Sequence, residues 1–148
     1  MFELHPLLVQ DTYVLGDFPL SRLLLMNDAS YPWFILVPRR IDIREVFELK
    51  YDDQLQLQKE SSQLAKVLSG VFEADKLNIA ALGNIVPQLH IHHIVRYRSD
   101  PAWPRPVWGL FPAQPYSSRA LQETCANLVE LLHGFVPDAG SPVAPRVC

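Results

Sequence analysis

Three of the five histidines in this chain lie within four residues, at positions 90, 92 and 93. Side chains alternate between the two faces of a β-strand, so a strand through this segment places Gln88, His90 and His92 on one face. His93 falls on the opposite face together with apolar neighbours, a pattern that suits the core. The spacing therefore predicts a row of three hydrogen-bonding side chains, two of them imidazoles, on one face of a strand.

This row of side chains suits more than one kind of chemistry. A neutral imidazole is a nucleophile that can attack phosphorus, and a second imidazole two residues along can protonate the leaving group. The same spacing suits two imidazole ligands of a metal ion, with a third ligand supplied from elsewhere. A row of solvated histidines on an edge strand is the third interpretation. Spacing alone leaves these interpretations open.

The surrounding segments predict an α+β domain. Apolar, β-prone runs predict five strands, at residues 13–15, 20–26, 33–37, 77–82 and 88–98. Residues 51–72 and 117–135 have the spacing of amphipathic helices, and residues 41–49 have room for a short one. Gly16-Asp17 is interpreted as a turn after the first strand. This order of elements is typical of an antiparallel sheet with helices on one side.

Length and composition favour one globular domain. The chain has 148 residues, of which 49% are hydrophobic and 20% are charged, and this composition excludes an intrinsically disordered protein. We assign residues 1–136 to the domain. Residues 137–148 are rich in Pro, Ala and Gly, and we expect them to form a flexible tail.

Charge and hydropathy exclude several classes of partner. A formal net charge of −3 and a pI of about 5.9 argue against binding to a nucleic-acid backbone. No apolar run reaches the roughly 18 residues that a membrane helix needs, and residues 1–10 lack the pattern of a signal peptide. The two cysteines make no disulfide framework. We therefore expect a cytoplasmic protein with no membrane partner.

Residues 83–94, Gly-Asn-Ile-Val-Pro-Gln-Leu-His-Ile-His-His-Ile, resemble the signature of the histidine-triad (HIT) superfamily. That signature is a Gly-Gln-Ser/Thr-Val lead-in followed by His-φ-His-φ-His-φ-φ, where φ is apolar. The middle and last histidines of the triad fall on His90 and His92. Gln88 occupies the first position, and Ile85 replaces the Ser or Thr of the lead-in.

The resemblance extends over roughly residues 20–104. Trp103-Pro104 is similar to the Trp-Pro that follows the triad in the nucleoside phosphoramidase branch of the family. Asn27-Asp28 resembles the acidic turn of the family, and residues 33–38 resemble the strand that follows this turn. Asn78 is a candidate for the phosphate-contacting Asn of the family.

The resemblance implies a HIT-like fold, in which a five-stranded antiparallel sheet carries two main helices. It implies that His90 is the nucleophile that forms a covalent nucleotidyl-histidine, and that His92 contacts the phosphate and helps the leaving group. Gln88 would take the supporting place of the first histidine. The substrates would be dinucleoside polyphosphates, nucleoside phosphoramidates or nucleotidyl conjugates.

The residues expected to bind the nucleotide are Asn27, Asp28, Asn84 and Trp103. Asp28 or Asn27 would hold the ribose hydroxyls, and Trp103 offers a surface for stacking the base. The resemblance implies a homodimer that requires no cofactor or bound metal. The departures at residues 85 and 88 predict altered substrate choice or weak activity. They also motivate the alternative of a non-catalytic nucleotide-binding or sensor domain.

Several neighbouring side chains have two interpretations each. Arg96 and Arg98 share the predicted face of the two imidazoles, where they would attract an anionic substrate or protect a sheet edge. Arg39-Arg40 would either meet phosphate or belong to a solvated turn. The indoles of Trp103 and Trp108 would form a base-stacking wall or pack a long loop onto the core.

Overall fold

The computed structural model describes residues 1–143, which form one sheet covered on both faces. The strands are β1 (Thr12–Asp17), β2 (Ser21–Met26), β3 (Trp33–Pro38), β4 (Lys76–Ala80), β5 (Ile91–Arg96) and β6 (Val136–Pro137). Their order in the sheet is β4-β5-β3-β2-β1-β6, and every pair is antiparallel. The α+β class and the antiparallel sheet are confirmed, with six strands instead of the five predicted.

The helices are α1 (Pro6–Asp11), α2 (Tyr51–Val71), α3 (Ser118–Cys125) and α4 (Leu128–Leu131), and Val46–Glu48 forms a 3₁₀ turn. The prediction for α2 is correct to within one residue. The single helix predicted for residues 117–135 is wrong, because Asn127 has a left-handed backbone (φ 65°) that ends regular α-helix between α3 and α4. α1 is not among the predicted elements, although Pro6 at its first position favours a helix start.

Alternation along β5 assigns its side chains to two separate cores. Ile91 and Val95 pack towards α2, where Leu64 and Leu68 are fully buried, and we call this side of the sheet the helix face. Ile94 packs on the opposite side against residues of the N-terminus and of the loop 97–117, and we call this side the loop face. Helices therefore do not cover one side only, because α1 packs on the loop face through a buried leucine, Leu8.

The strand that carries the histidines begins later than predicted. The predicted strand covers residues 88–98, whereas β5 begins at Ile91 and ends at Arg96. Ile91 is the first residue of β5, and it pairs with Leu36 of β3. Two residues earlier, the N–H of Leu89 donates to the carbonyl of Ile43, which is not part of the sheet, so the chain has not yet entered the sheet at Leu89. Alternation can therefore be applied to residues 91–96 only.

The sheet extends past the predicted domain boundary at residue 136. β6 pairs with β1, which continues through Gly16 and Asp17 by way of a bulge and not a turn. Gly16 permits this pairing, because a Cβ there would lie 2.3 Å from the carbonyl oxygen of Val136. Ser141 is also buried. The remaining residues of the predicted tail, 144–148, lie outside the described residues. Within residues 1–143, no helix is long and apolar enough to cross a membrane.

A buried ion pair attaches the loop that follows β5. Arg96 Nε donates to Asp100 Oδ2 over 2.7 Å, and the two side chains are only 2% and 3% exposed. Asp100 also accepts N–H groups of the loop, from Tyr97, Ala102 and Trp103. Arg96 Nη1 donates to Asn78 Oδ1 on β4. Both predicted roles of Arg96 are therefore wrong, because its guanidinium is buried and its hydrogen bonds are used within the fold.

We predict that removing one partner of this ion pair strongly destabilises the fold. Asp100→Asn leaves the buried guanidinium of Arg96 without its counter-charge, which should lower the free energy of unfolding by about 3 kcal/mol or more. Urea denaturation measures this change. Glu123→Gln is the matched control, because it breaks an ion pair of the same i,i+4 spacing that is exposed. Equal losses in the two variants would contradict the prediction.

Candidate active site

The structure brings His90 and His92 together at the start of β5. Their ring centroids lie 4.8 Å apart with the planes at 71°, and the two residues are 7% and 4% exposed. His90 precedes the strand and His92 lies within it, opposite Ile35 of β3. Two imidazoles thus meet edge to face at the border between the buried sheet and the loop 81–90.

The hydrogen bond of His90 fixes its tautomer. Nδ1 lies 2.7 Å from the carbonyl oxygen of Gln88. A carbonyl only accepts, so Nδ1 carries the proton, and Nε2 of the neutral ring keeps a free lone pair. Burial lowers the pKa of His90, the charge of His5 lowers it further, and the hydrogen bond to Gln88 opposes both effects. His90 is therefore a neutral imidazole with an available nucleophilic nitrogen.

His92 has the opposite tautomer. Its Nδ1 accepts the indole N–H of Trp33 over 2.9 Å. Because an indole nitrogen only donates, Nδ1 is unprotonated and the proton of the neutral ring lies on Nε2. Burial, and then the charges of His90 and His93, lower the pKa of His92 to about 3. At neutral pH, His92 therefore offers an Nε2–H donor and carries no charge.

Two tryptophans surround the ring of His92. The Trp33 centroid lies 5.7 Å from the imidazole and the Trp108 centroid 5.3 Å from it, both in edge-to-face geometry. The sequence predicts only that Trp33 is a strand residue. The register of β3 against β5, which places Trp33 opposite Ile94, is set by the tertiary structure, and no local pattern in the sequence identifies the contact with His92.

His93 belongs to the core, as predicted. Its side chain is fully buried on the helix face. Nδ1 donates to the carbonyl of Ile91 over 3.1 Å, and Nε2 accepts the hydroxyl of Ser61 over 2.8 Å. Burial lowers the pKa of His93 to about 4. This histidine is a neutral, hydrogen-bonded core residue that faces away from the other two.

Gln88 does not share a strand face with the two histidines, because β5 begins three residues after it. Its side chain is directed to the N-terminus instead. Oε1 accepts the N–H of His5 over 2.9 Å, and Nε2 donates to the carbonyl of Glu3 over 2.8 Å. Only the backbone carbonyl of Gln88 bonds the nucleophile ring. The support that Gln88 is predicted to give to His90 therefore comes from its main-chain carbonyl and not from its side chain.

The residues predicted to bind nucleotide lie in different surroundings. Asn27 Oδ1 accepts the N–H of Tyr116, and Asp28 Oδ1 accepts the N–H groups of Ser30 and Gln114. These two side chains therefore attach the segment 114–116 to the turn after β2.

The other two predicted nucleotide-binding residues, Trp103 and Asn84, have different surroundings from Asn27 and Asp28. Trp103 lies against Arg96, and the guanidinium carbon of Arg96 is 5.7 Å from the centroid of the Trp103 ring. Asn84 is exposed in the loop between β4 and β5. Trp108, and not Trp103, is the loop indole in contact with an imidazole of the pair.

A small cavity of about 10 Å³ lies beside His90. It is lined by Arg44, Glu45, Ala81, Leu82, Gly83, Gln88, Leu89 and His90. Arg44 is the cation of this lining, and it is not among the predicted site residues because no motif in the sequence relates it to His90. Arg39 and Arg40 were the arginines considered for phosphate, but they pair with Asp17 and Asp53.

A cavity of about 380 Å³ is lined by Trp108, the indole beside His92, and two others, of about 480 and 730 Å³, lie away from the paired imidazoles. One is formed between β1 and the β6 region, and the other between α2 and α4.

For the metal interpretation, no group of three or more His, Cys, Asp or Glu side chains in the described part of the chain is placed to hold an ion. The geometry therefore offers His90 and His92 no third ligand of these types within residues 1–143.

Comparison with known proteins agrees with this geometry. The HIT domain profile matches residues 8–99. A search of curated proteins finds no match. The structure is similar to that of a histidine triad protein from Marinobacter aquaeolei VT8, with 51% sequence identity, a TM-score of 0.88, and coverage of 92% of this chain and 99% of that one.

Two further solved structures are similar over nearly their whole length. A histidine triad protein from Bradyrhizobium japonicum is 46% identical with a TM-score of 0.82, over 88% of this chain and 95% of that one. A histidine triad (HIT) protein from Sinorhizobium meliloti 1021 is 45% identical with a TM-score of 0.86, over 89% and 98%. The paired imidazoles lie in the matched region, and this chain belongs to the HIT family of histidine triad proteins.

Proposed function

We propose that this protein cleaves or transfers nucleotidyl groups through a covalent intermediate on His90. Membership of the HIT family supports a nucleotide-binding, hydrolase or transferase role in general. The observation that carries the finer proposal is the pair of opposite tautomers. His90 presents a lone pair on Nε2 and His92 presents a proton on Nε2, each fixed by a hydrogen bond to Nδ1.

In the first step, Nε2 of His90 attacks the α-phosphorus of the substrate. The new P–N bond forms as the bond from phosphorus to the leaving group breaks, and that electron pair departs with the leaving group. The imidazole becomes cationic, and its Nδ1–H remains bonded to the carbonyl of Gln88, which stabilises the charge. Water or another acceptor then attacks phosphorus, the P–N bond breaks as its electron pair returns to Nε2, and the proton of the acceptor passes to solvent, which restores the neutral His90.

His92 serves this step as a hydrogen-bond donor to a phosphate oxygen. With a pKa of about 3, its ring carries no spare proton at neutral pH to give to a leaving group. Leaving groups that depart as stable anions, such as nucleotides released from a phosphoric anhydride, are therefore favoured over amines that need a proton. Dinucleoside polyphosphates are therefore the favoured substrates, ahead of nucleoside phosphoramidates.

Other residues of the chain also have proposed roles. Arg44 lines the cavity at His90, so we assign it to the attraction of the substrate phosphates. Asn27, Asp28, Asn84 and Trp103 remain the predicted contacts of the nucleoside. The homodimer likewise stays a prediction. The proposed steps use only imidazoles and water, so they require no cofactor.

Trapping the intermediate tests the proposed function directly. Rapid mixing with an α-³²P-labelled dinucleoside polyphosphate, followed by an alkaline quench, should label the protein, since phosphohistidine is stable to base. His90→Asn should abolish the label, and His133→Asn, which changes an exposed histidine far from the site, should retain it. A labelled phosphoramidate run in parallel should react more slowly. Nucleotide binding with no label on the native protein would instead support the non-catalytic alternative.

The bond from Trp33 to His92 yields a second prediction. Trp33→Phe keeps an aromatic ring but removes the indole donor, so the tautomer of His92 is no longer fixed. We expect kcat to fall about tenfold with little change in KM, because one oriented hydrogen bond in the transition state is lost. Tyr31→Phe is the control, since its buried hydroxyl has no hydrogen-bond partner among the described residues. A kcat equal to that of Tyr31→Phe would contradict the role of Trp33.

Arg44 yields a third prediction. Arg44→Gln should raise KM for a polyphosphate substrate severalfold and weaken the dependence of KM on salt, while kcat changes little. Arg40→Gln is the matched control, because that guanidinium in the same segment is already paired with Asp53. Steady-state kinetics at two ionic strengths measures both effects. An equal KM in the two variants would exclude Arg44 from phosphate binding.

A further inference from the structure

A groove opens at the edge of the sheet, between β4 and the loop that follows β5. It is lined by residues 76–79 of β4 and by Pro104, Pro106 and Trp108 of the loop, and we call it the edge groove. Its volume is about 380 Å³, within the range of roughly 300–1,000 Å³ that is typical of small-molecule sites. The steps proposed for the paired imidazoles do not use this groove, so its role is open.

The indole of Trp108 lies between the edge groove and the candidate site. Its ring centroid is 5.3 Å from that of His92, which in turn is 4.8 Å from that of His90. The Trp33 ring, at 6.0 Å and an interplanar angle of 87°, packs against the same indole and helps to fix it. Because Trp108 also lines the groove, a molecule bound there is one aromatic ring away from the paired imidazoles.

The charge of the edge groove suits an anion. Lys76 lines it, and the Lys76 ammonium group donates to the carbonyl of Leu77 over 2.6 Å. Arg105, which lies between the two prolines of the groove, is exposed, and within residues 1–143 neither cation forms an ion pair. No carboxylate is among the lining residues. The groove is therefore electropositive in a chain whose formal net charge is −3, and it attracts phosphate.

Asn78 adds a hydrogen-bond donor of fixed orientation. In the register of β4 against β5 it lies opposite Ile94, so its side chain is on the loop face. Oδ1 accepts Nη1 of Arg96 over 2.7 Å, and Arg96 is itself held by Asp100. The NH₂ group of Asn78 forms no hydrogen bond in the described part of the chain, so it is left to donate to a ligand in the groove.

The opposite wall supplies flat apolar surfaces. The indole of Trp108 is a platform on which a base can stack, and the rings of Pro104 and Pro106 lie along the same wall. An aromatic surface, an amide donor and an unpaired ammonium group in one groove match the base and the phosphates of a nucleotide.

We propose that the edge groove binds the leaving nucleotide of a dinucleoside polyphosphate, with its base against Trp108 and its phosphates beside Lys76. This proposal rests on the proposed function, since it places the second half of the same substrate. When Nε2 of His90 attacks the α-phosphorus of diadenosine tetraphosphate, a P–N bond forms and the bond to the bridging oxygen breaks. The electron pair leaves on ATP, and the ammonium group of Lys76 stabilises the negative charge that the departing ATP gains.

Two substrates that differ only beyond the tetraphosphate chain test this assignment. Diadenosine tetraphosphate carries a second adenosine and adenosine tetraphosphate does not, and stacking on an indole does not distinguish bases, so adenosine serves as the probe. The native protein should have a kcat/KM about tenfold higher for the first substrate. Trp108→Leu should remove this preference, whatever it does to both rates through His92. Equal kcat/KM values in the native protein, or a preference that survives in Trp108→Leu, would overturn the proposal.

Replacing Lys76 tests the contact with phosphate. Lys76→Gln should lower kcat/KM for diadenosine tetraphosphate severalfold, because the groove loses its ammonium group. Lys66→Gln is the matched control, since that exposed lysine on α2 lines a cavity away from the paired imidazoles. The control should behave like the native protein. Equal kcat/KM values in the two variants would exclude Lys76 from the site.

A binding measurement separates this proposal from the proposed function, because it needs no turnover. ATP titrated into the ¹⁵N-labelled protein should shift the backbone amides of residues 76–79 and the indole N–H of Trp108, and Lys76→Gln should require severalfold more ATP. A labelled adduct on His90 together with unshifted amides at residues 76–79 would overturn the groove assignment and leave the proposed function standing. Shifts at residues 76–79 without any adduct would support the groove as a nucleotide site and contradict the proposed function.

Discussion

β5 is hydrogen-bonded between β3 and β4, and all six of its residues are buried. This pairing fixes which side chain faces which core, because a slip of one residue would exchange the two faces. In the observed register, His92 meets Trp33 on the loop face, while His93 meets Ser61 on the helix face. Arg96, at the end of the same strand, attaches the loop that carries Trp108. The site and its covering loop thus depend on one strand pairing.

The chemistry of the site follows from two neutral partners, a carbonyl and an indole. Neither partner changes its protonation, so each fixes one nitrogen of a histidine as a donor or as an acceptor. His90 is thereby left with a bare Nε2 and His92 with a protonated one. Burial of both rings lowers their pKa values and keeps them uncharged at neutral pH. Two chemically identical side chains acquire different roles from their surroundings.

The replacement of the first triad histidine is linked to the N-terminus of the chain. Gln88 keeps the one contact with His90 that any residue can make, through its backbone carbonyl, and its side chain is free for another purpose. That purpose is contact with Glu3 and His5. The short helix α1, which follows these residues, belongs to the same arrangement because Leu8 fastens it to the loop face.

The sequence by itself determined the elements whose pattern is local. The amphipathic period placed α2 to within one residue, and alternation separated His93 from His92, its neighbour in the strand. The triad resemblance also identified His90 and His92 as the residues of interest. These features could be predicted because each depends on residues within one helix or strand.

The tertiary structure decided everything that depends on partners distant in sequence. Trp33 and His92 are 59 positions apart, and His5 and Gln88 are 83 apart, so no local pattern relates them. For the same reason, the start of β5, the burial of Arg96 and the place of Arg44 could not be predicted. Hydrogen-bond partners fix tautomers and charges, and in this protein those partners are supplied by the fold.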